Sequence, residues 1–288
     1  PRSWPRIGSR PGQRGSMPVR GFFPFLGLED RETGVHWAAQ TYWHGSWQME
    51  LWRRKDPVSL SGGLGDYDFA HWARTLSPGE TFTAPLAWVA SVRGDLDDLG
   101  QAVASQYAYS GHPEPESESR LPVVFNEWCS SWGNPRHTDI LEKAPILEES
   151  GADIFVIDDG WAEKPGTGFQ HNGDWNLERK RFPEGLLSTS QALRKHKLDM
   201  GIWFEAEVCT VGTEAFAQTD HLLQRHGHTV RVGPRHFWDF RDPFTRDYLR
   251  RKMTRLLVAN GIKYLKIDYN DSIGTGCDPE NPQDGLGE

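Results

Sequence analysis

The sequence predicts an α/β protein: the first half of a (β/α)8 barrel of the TIM type, preceded by part of a β-sandwich domain. Three observations predict it. Beyond residue 120, short and almost wholly apolar runs alternate with segments of helical periodicity, as in a parallel sheet covered on both faces. Each of four such runs ends in charged or polar residues, and barrels carry their sites at that end. Before residue 110 the runs are longer, aromatic and partly alternating, which suits antiparallel strands.

In chain order, "GVHWAAQTYWHGSWQMELWRR" (34–54) and "ETFTAPLAWVASV" (80–92) read as strand regions, the second entered through the turn "SPGE". Residues 111–120, "GHPEPESESR", are too polar and proline-rich to bury themselves and read as a linker. The predicted domains are therefore 1–115, the C-terminal part of a sandwich, and 120–288, barrel strands one to four. "LPVVFNEW" (121–128) is the first buried strand. "TDILEKAPILEESG" (138–151) is a helix with a glycine stop, and Pro145 should kink it. "ADIFVIDDGW" (152–161) is the second strand, "STSQALRKHKL" (188–198) a helix with a Ser/Thr cap, and "DMGIWFEAEV" (199–208) the third strand. "DPFTRDYLRRKMTRLLVANG" (242–261) is one amphipathic helix ending at Gly261, and "IKYLKID" (262–268) is the fourth strand. A doubly wound sheet is the alternative, but no glycine-rich phosphate loop follows any strand.

The strand ends carry the chemistry. They are Asn126, Glu127 and Trp128; Asp158, Asp159 and Trp161; Trp203, Glu205 and Glu207; and Lys266, Asp268 and Asn270. Strand side chains alternate, so Lys266, Asp268 and Asn270 share a face, as do Trp203, Glu205 and Glu207. A single acid at a strand end is ordinarily a solvated turn residue or a cap. Acids at four successive parallel strands converge on one mouth, where burying them is costly unless they act together. Asp268 beside Lys266 suits a nucleophile, since a neighbouring ammonium favours the charged carboxylate. Asn270 is placed to hold a carboxylate oxygen or a ligand hydroxyl. Asp158 and Asp159 point to opposite faces unless the chain kinks after the strand. Paired carboxylates suit vicinal sugar hydroxyls, and Trp161 and Trp203 offer faces for a sugar's CH surface, although core packing is the commoner role of a tryptophan.

Composition narrows the classes. Net charge is −8, which disfavours nucleic acid and anionic membrane as partners. Mean hydropathy is −0.64, and no apolar run approaches a spanning helix. Cys129, Cys209 and Cys277 are too few for a disulfide scaffold and lack ligand spacing, so they read as inert thiols in a reducing, cytoplasmic setting. No cofactor motif is present, and "HLLQRHGH" (221–228) reads as a polar loop rather than a metal site. Two rivals stay open. Asp158, Glu205 and Asp268 are a conceivable magnesium set with Lys266 as base, though a lysine beside the metal is electrostatically awkward. A sugar-binding or oligomerisation module without catalysis is the other.

Taken together, "NEW" (126–128), "DDGW" (158–161), "GDW" (173–175), "GIWFEAE" (201–207) and "LKIDYN" (265–270) resemble glycoside hydrolase family 36, the retaining α-galactosidases, in order and spacing. "GFFPFLGLED" (21–30) and "LSPGETFTAPLAWV" (76–89) resemble that family's N-terminal sandwich. The resemblance implies Asp268 as nucleophile. It implies Asp158, Asp159, Trp203, Lys266, Asn270 and Arg235 as ligands of a terminal galactose, no metal or cofactor, an α-galactoside oligosaccharide or glycan as substrate, and a homo-oligomer, often a tetramer. It also implies an acid/base from a later strand, outside this chain, so that these 288 residues are a poorly active piece of a longer enzyme. "KIDYN" stands where many members have "KWDMN", and "FEAEV" where they have "FEPEM". An α-N-acetylgalactosaminidase or a raffinose-type transglycosylase therefore remains a reading of the same scaffold.

Overall fold

The structure, a computed structural model, describes residues 7–17, 19–53, 57–109, 115–164 and 172–286. The chain folds into two compact units: Pro1–Pro113 with Gln224–His228 and Asp271–Glu288, and Glu114–Leu223 with Thr229–Asn270. Residues 110–114, where the linker begins, lie outside the described residues, and Glu116–Glu118 form one 3-10 turn.

The first unit contains β1 (Ile7–Ser9), β2 (Gly12–Gln13), β3 (Phe25–Asp30), β4 (Val35–Thr41), β5 (Trp47–Arg53), β6 (Val58–Leu64) and β7 (Ala87–Arg93). They form two antiparallel sheets: β5 pairs with β1, β2 and β6, and β4 lies between β3 and β7. Ala39 and Leu26 from one sheet meet Trp47 and Met49 from the other in a shared apolar cluster. The run 34–54 thus becomes two strands with a loop between them. The turn at 77–80 closes through Glu80 N donating to Ser77 O at 2.9 Å, with Gly79 at φ +87°, as a type II turn requires. Of the run 80–92, only its end is strand.

The sequence groups 224–228 and 271–286 with the barrel, whereas they belong to the first unit. Arg225 donates to the carbonyls of Ile273 and Gly276, and Asp278 accepts from the amides of His226 and Gly227. Thr75 N and Gly285 N close the tail onto Asp284 and Ala73. Turns made by such polar groups leave no periodic apolar signal to read.

The second unit contains β8 (Val124–Asn126), β9 (Ile154–Ile157), β10 (Asp199–Phe204), β11 (Val208–Thr210), β12 (Arg231–Val232), β13 (Arg235–Phe237) and β14 (Tyr264–Ile267). Strands β8, β9, β10 and β14 form a parallel sheet whose spatial order equals their chain order. A doubly wound sheet would reverse that order once. This is a partial half-barrel. β11, β13 and β12 make a small antiparallel sheet beyond the end of β10.

Every residue of β9 is buried, as its apolar run demands. β8 has one neighbour instead of two, so Val124 is exposed and the expected buried strand is a three-residue edge. Phe155, Ile157, Met200, Ile202 and Phe204 pack with Ile140 and Ala144 of α4 (His137–Glu149) and Leu186 and Leu193 of α5 (Gly185–Arg194), after α1 (Tyr67–Ala70), α2 (Leu96–Tyr109) and α3 (Trp128–Ser131) in the chain. α4 continues through Pro145. α5 starts before the predicted cap: Thr189 and Ser190 are fully buried inside it, and Ser188 Oγ donates back to Glu184. The predicted helix at 242–261 divides into α6 (Pro243–Leu249), a π turn at Arg250–Thr254 and α7 (Arg255–Ala259). Its apolar periodicity shows the helical face but not the extra residue that a π turn inserts. Among the described residues, no helix is long and apolar enough to cross a membrane.

The turn after β9 depends on Gly160, at φ +103°, where an added Cβ would collide with the carbonyl of Gly133. Gly160→Ala should therefore cost ~3 kcal/mol of folding free energy, read as a lower urea midpoint at unchanged m-value.

Candidate active site

The register of the parallel sheet builds the site. Ile157, Ile202 and Leu265 lie level across β9, β10 and β14. One residue further along, β10 and β14 bring Trp203 beside Lys266, and β9 ends at Asp158. Lys266 Nζ donates to Asp158 Oδ2 at 2.6 Å. Asp158 is 3% exposed, so its charge is tolerable only with this partner. Two residues beyond Lys266, Asp268 N still donates to Phe204 O at 2.8 Å, which keeps the end of β14 in register.

This corrects one expectation. The ammonium of Lys266 is bonded to Asp158, while the Asp268 carboxylate is held by neutral donors. Its Oδ2 accepts from Trp203 Nε1 at 3.1 Å and from Asn270 Nδ2 at 3.2 Å, and its Oδ1 accepts from Tyr269 N at 3.0 Å. Both oxygens are thereby oriented by groups from two strands. Asp268 is half-buried, and Asn270 is exposed beside it.

Glu205, 1% exposed, is the second buried carboxylate. Its Oε1 accepts from Arg235 Nε at 2.6 Å and from Asn270 Nδ2 at 3.3 Å, and its Oε2 from Asn172 Nδ2 at 2.5 Å. Arg235, on β13, thus joins the other candidates through Glu205. Asn172 was not singled out in the sequence. It follows the undescribed residues 165–171 and has no apolar pattern around it, although its nearness to "GDW" is a signal. Its own carbonyl accepts from Thr210 N on β11, which fixes it.

Below Asp158 lies Glu127, 2% exposed, whose Oε1 accepts from Asp158 N at 3.0 Å. Asp159 follows, half-buried, and donates its amide to Asp158 Oδ1 at 2.8 Å. Trp161 is fully buried: its Nε1 donates to Trp203 O, and its ring stacks on Trp175 at 6.1 Å. It is a supporting wall, and its face is not offered to a ligand. Trp203 is 4% exposed and packs edge-on against Trp175. Among the described residues, no group of three or more His, Cys, Asp or Glu is placed to hold a metal ion, and Asp158 and Glu205 are each bonded to a cation. His221 bonds Asp242 and stacks on Phe244. Cys129, Cys209 and Cys277 are in no disulfide, and burial first, then Asp174, pushes the Cys209 thiol up to about 12.

Burial raises the pKa of Glu127. Burial, then the charges of Glu205 and Asp268, raises that of Glu207. A raised folded-state value means that the native protein keeps a proton which the unfolded chain releases near the ordinary glutamate value. The resulting stability is present below that value and is lost as pH rises through the folded one. Glu127→Gln keeps the acceptor for Asp158 N and removes the titration. The variant's thermal midpoint should therefore fall less than the wild type's as pH rises from about 4.5 to about 7.

The family model described as Melibiase matches residues 81–285. Alpha-galactosidase Mel36A of Lactobacillus acidophilus is 25% identical over 283 residues, covering 92% of this chain and 37% of the relative. The Escherichia coli alpha-galactosidase is 25% identical over 251 residues, covering 84% of this chain and 34% of its own. The chain thus spans little more than a third of the length of these relatives. The structure of the GH36 alpha-galactosidase AgaB from Geobacillus stearothermophilus aligns with a TM-score of 0.86 at 20% identity, over 97% of this chain and 39% of that one. AgaA from the same organism, solved in complex with raffinose, also gives 0.86 at 20% identity, over 96% and 39%. At such identity the likeness to the solved structures is one of fold. The family match, by contrast, extends over well more than half of the chain: this chain belongs to the Melibiase family.

Proposed function

We propose that the protein is a retaining α-galactosidase, acting on terminal α-linked galactose in oligosaccharides of the raffinose and stachyose kind. The single observation that carries this reading is the Asp268 carboxylate, oriented by Trp203, Asn270 and Tyr269 N beside the Lys266–Asp158 pair. Asp268 attacks the anomeric carbon, the bond to the leaving oxygen breaks, and a covalent galactosyl-enzyme forms that water then opens with retention. Asp158, Asp159 and Lys266 bind sugar hydroxyls. Asn270 and Arg235 close the other side, and Trp203 presents its edge. The reaction calls on no cofactor.

Retention needs a second carboxyl about 5 Å from the first. Glu205 accepts three hydrogen bonds, and Glu127 lies beneath Asp158. In this reading neither of them, nor Glu207, is the acid/base, which a carboxyl outside residues 1–288 supplies. The same reading makes the parallel sheet the first half of a (β/α)8 barrel and the two antiparallel sheets part of a sandwich domain. The relatives' names support it, as do raffinose and stachyose in neighbouring structures.

The test uses the full natural polypeptide that contains these residues and an aryl α-galactoside. Asp268→Asn should lower kcat roughly 10⁴-fold with the fold intact. Nuclear magnetic resonance of the first product should show α-galactose before mutarotation. Initial β-galactose would overturn the retaining mechanism, and undiminished turnover in Asp268→Asn would overturn the nucleophile. Faster cleavage of the matching aryl α-N-acetylgalactosaminide would transfer the same site to the other sugar.

A further inference from the structure

Glu205 does more than neutralise an arginine. Its Oε1 receives Arg235 Nε and Asn270 Nδ2 together, and the same Asn270 nitrogen also lies 3.2 Å from Asp268 Oδ2. Asn270 is exposed and not pinned by packing, so what fixes its amide is the pair of acceptors on either side. On one side is the proposed nucleophile. On the other is Glu205, 1% exposed and held from its far oxygen by Asn172, which β11 anchors in turn.

We infer that Glu205 is a positioning residue, which sets the orientation of the Asp268 carboxylate through Asn270 and is not itself the proton donor. The inference rests on the proposed function and deepens it. A carboxylate is acceptor-only, so Glu205 forces Asn270 to present its NH2 group, and not its oxygen, to the space between the two acids. Asn270 then donates to both. Replacing Glu205 by glutamine leaves one acceptor where two are used, so its NH2 meets the Asn172 amide or, rotated, Arg235 and Asn270; the carboxamide then shifts, and a small misplacement of a reacting group costs up to about 10²-fold.

The experiment is a double-mutant cycle in the full natural polypeptide on an aryl α-galactoside, with Glu205→Gln, Asn270→Ala and the pair. Glu205→Gln should lower kcat about 10²-fold at little change in KM, and the double variant should be no slower than the slower single variant. Added azide should not restore the rate of Glu205→Gln, and its loss should be equal for good and poor leaving groups. Independent, multiplicative losses would overturn the inference. So would azide rescue with a steep leaving-group dependence, which marks an acid/base residue, or a Glu205→Gln variant as fast as wild type. Should Glu205→Gln not fold, Asn172→Ala loosens the same carboxylate without stripping Arg235 of its counter-charge. It should lower kcat about tenfold on the same cycle logic, and an undiminished kcat there would equally contradict the role. Absence of galactosidase activity in the wild type would instead remove the functional reading beneath it.

Discussion

The ion pair between Lys266 and Asp158 is the interaction on which the rest of the site depends. Parallel strands of equal register bring acidic ends to one level, and Asp158 is almost wholly removed from water there. A carboxylate so buried carries a large desolvation cost unless a cation and hydrogen bonds compensate it. Lys266 reaches it from two strands away, with Trp203 on the strand between. The second buried acid, Glu205, is balanced by Arg235 in the same way. With both cations so engaged, Asp268 is left to neutral donors and remains half open to its surroundings.

That division separates two tasks which a single lysine beside a single aspartate would merge. Charge compensation is handled at the buried acids. Orientation is handled at the more open one, by an indole N–H, a side-chain amide and a backbone amide. Hydrogen bonds from neutral groups orient a carboxylate without committing it to an ion pair. The stacked Trp161 and Trp175 and the edge-on Trp203 pack together beside this carboxylate.

Much of this was legible in the sequence because parallel strands are apolar runs and their ends are not. The four buried residues of β9 follow from its unbroken apolar run, and the nearness of Asp268 and Asn270 follows from period-two alternation. What alternation cannot give is the partner across the sheet. Lys266 and Asp268 are two residues apart in sequence, yet the lysine's acceptor is 108 positions away. Trp161 reads as a sugar platform by type and is a buried wall by position. Asn172, at the edge of a polar stretch, becomes visible only when Glu205 is seen to accept from it. The cap expected for α5 fell inside the helix because buried Thr189 and Ser190 mimic a cap's composition.

The central claim is that the Asp268 carboxylate forms the bond to the sugar and that the buried acids serve it. Inactivation of the full natural polypeptide with a 2-deoxy-2-fluoro-galactosyl fluoride, followed by proteolysis and tandem mass spectrometry, addresses it directly. The account predicts one added fluorogalactosyl group per chain, carried by Asp268 in the tryptic peptide that begins at Ile267. A label on Asp158, Glu205 or any other side chain would contradict it.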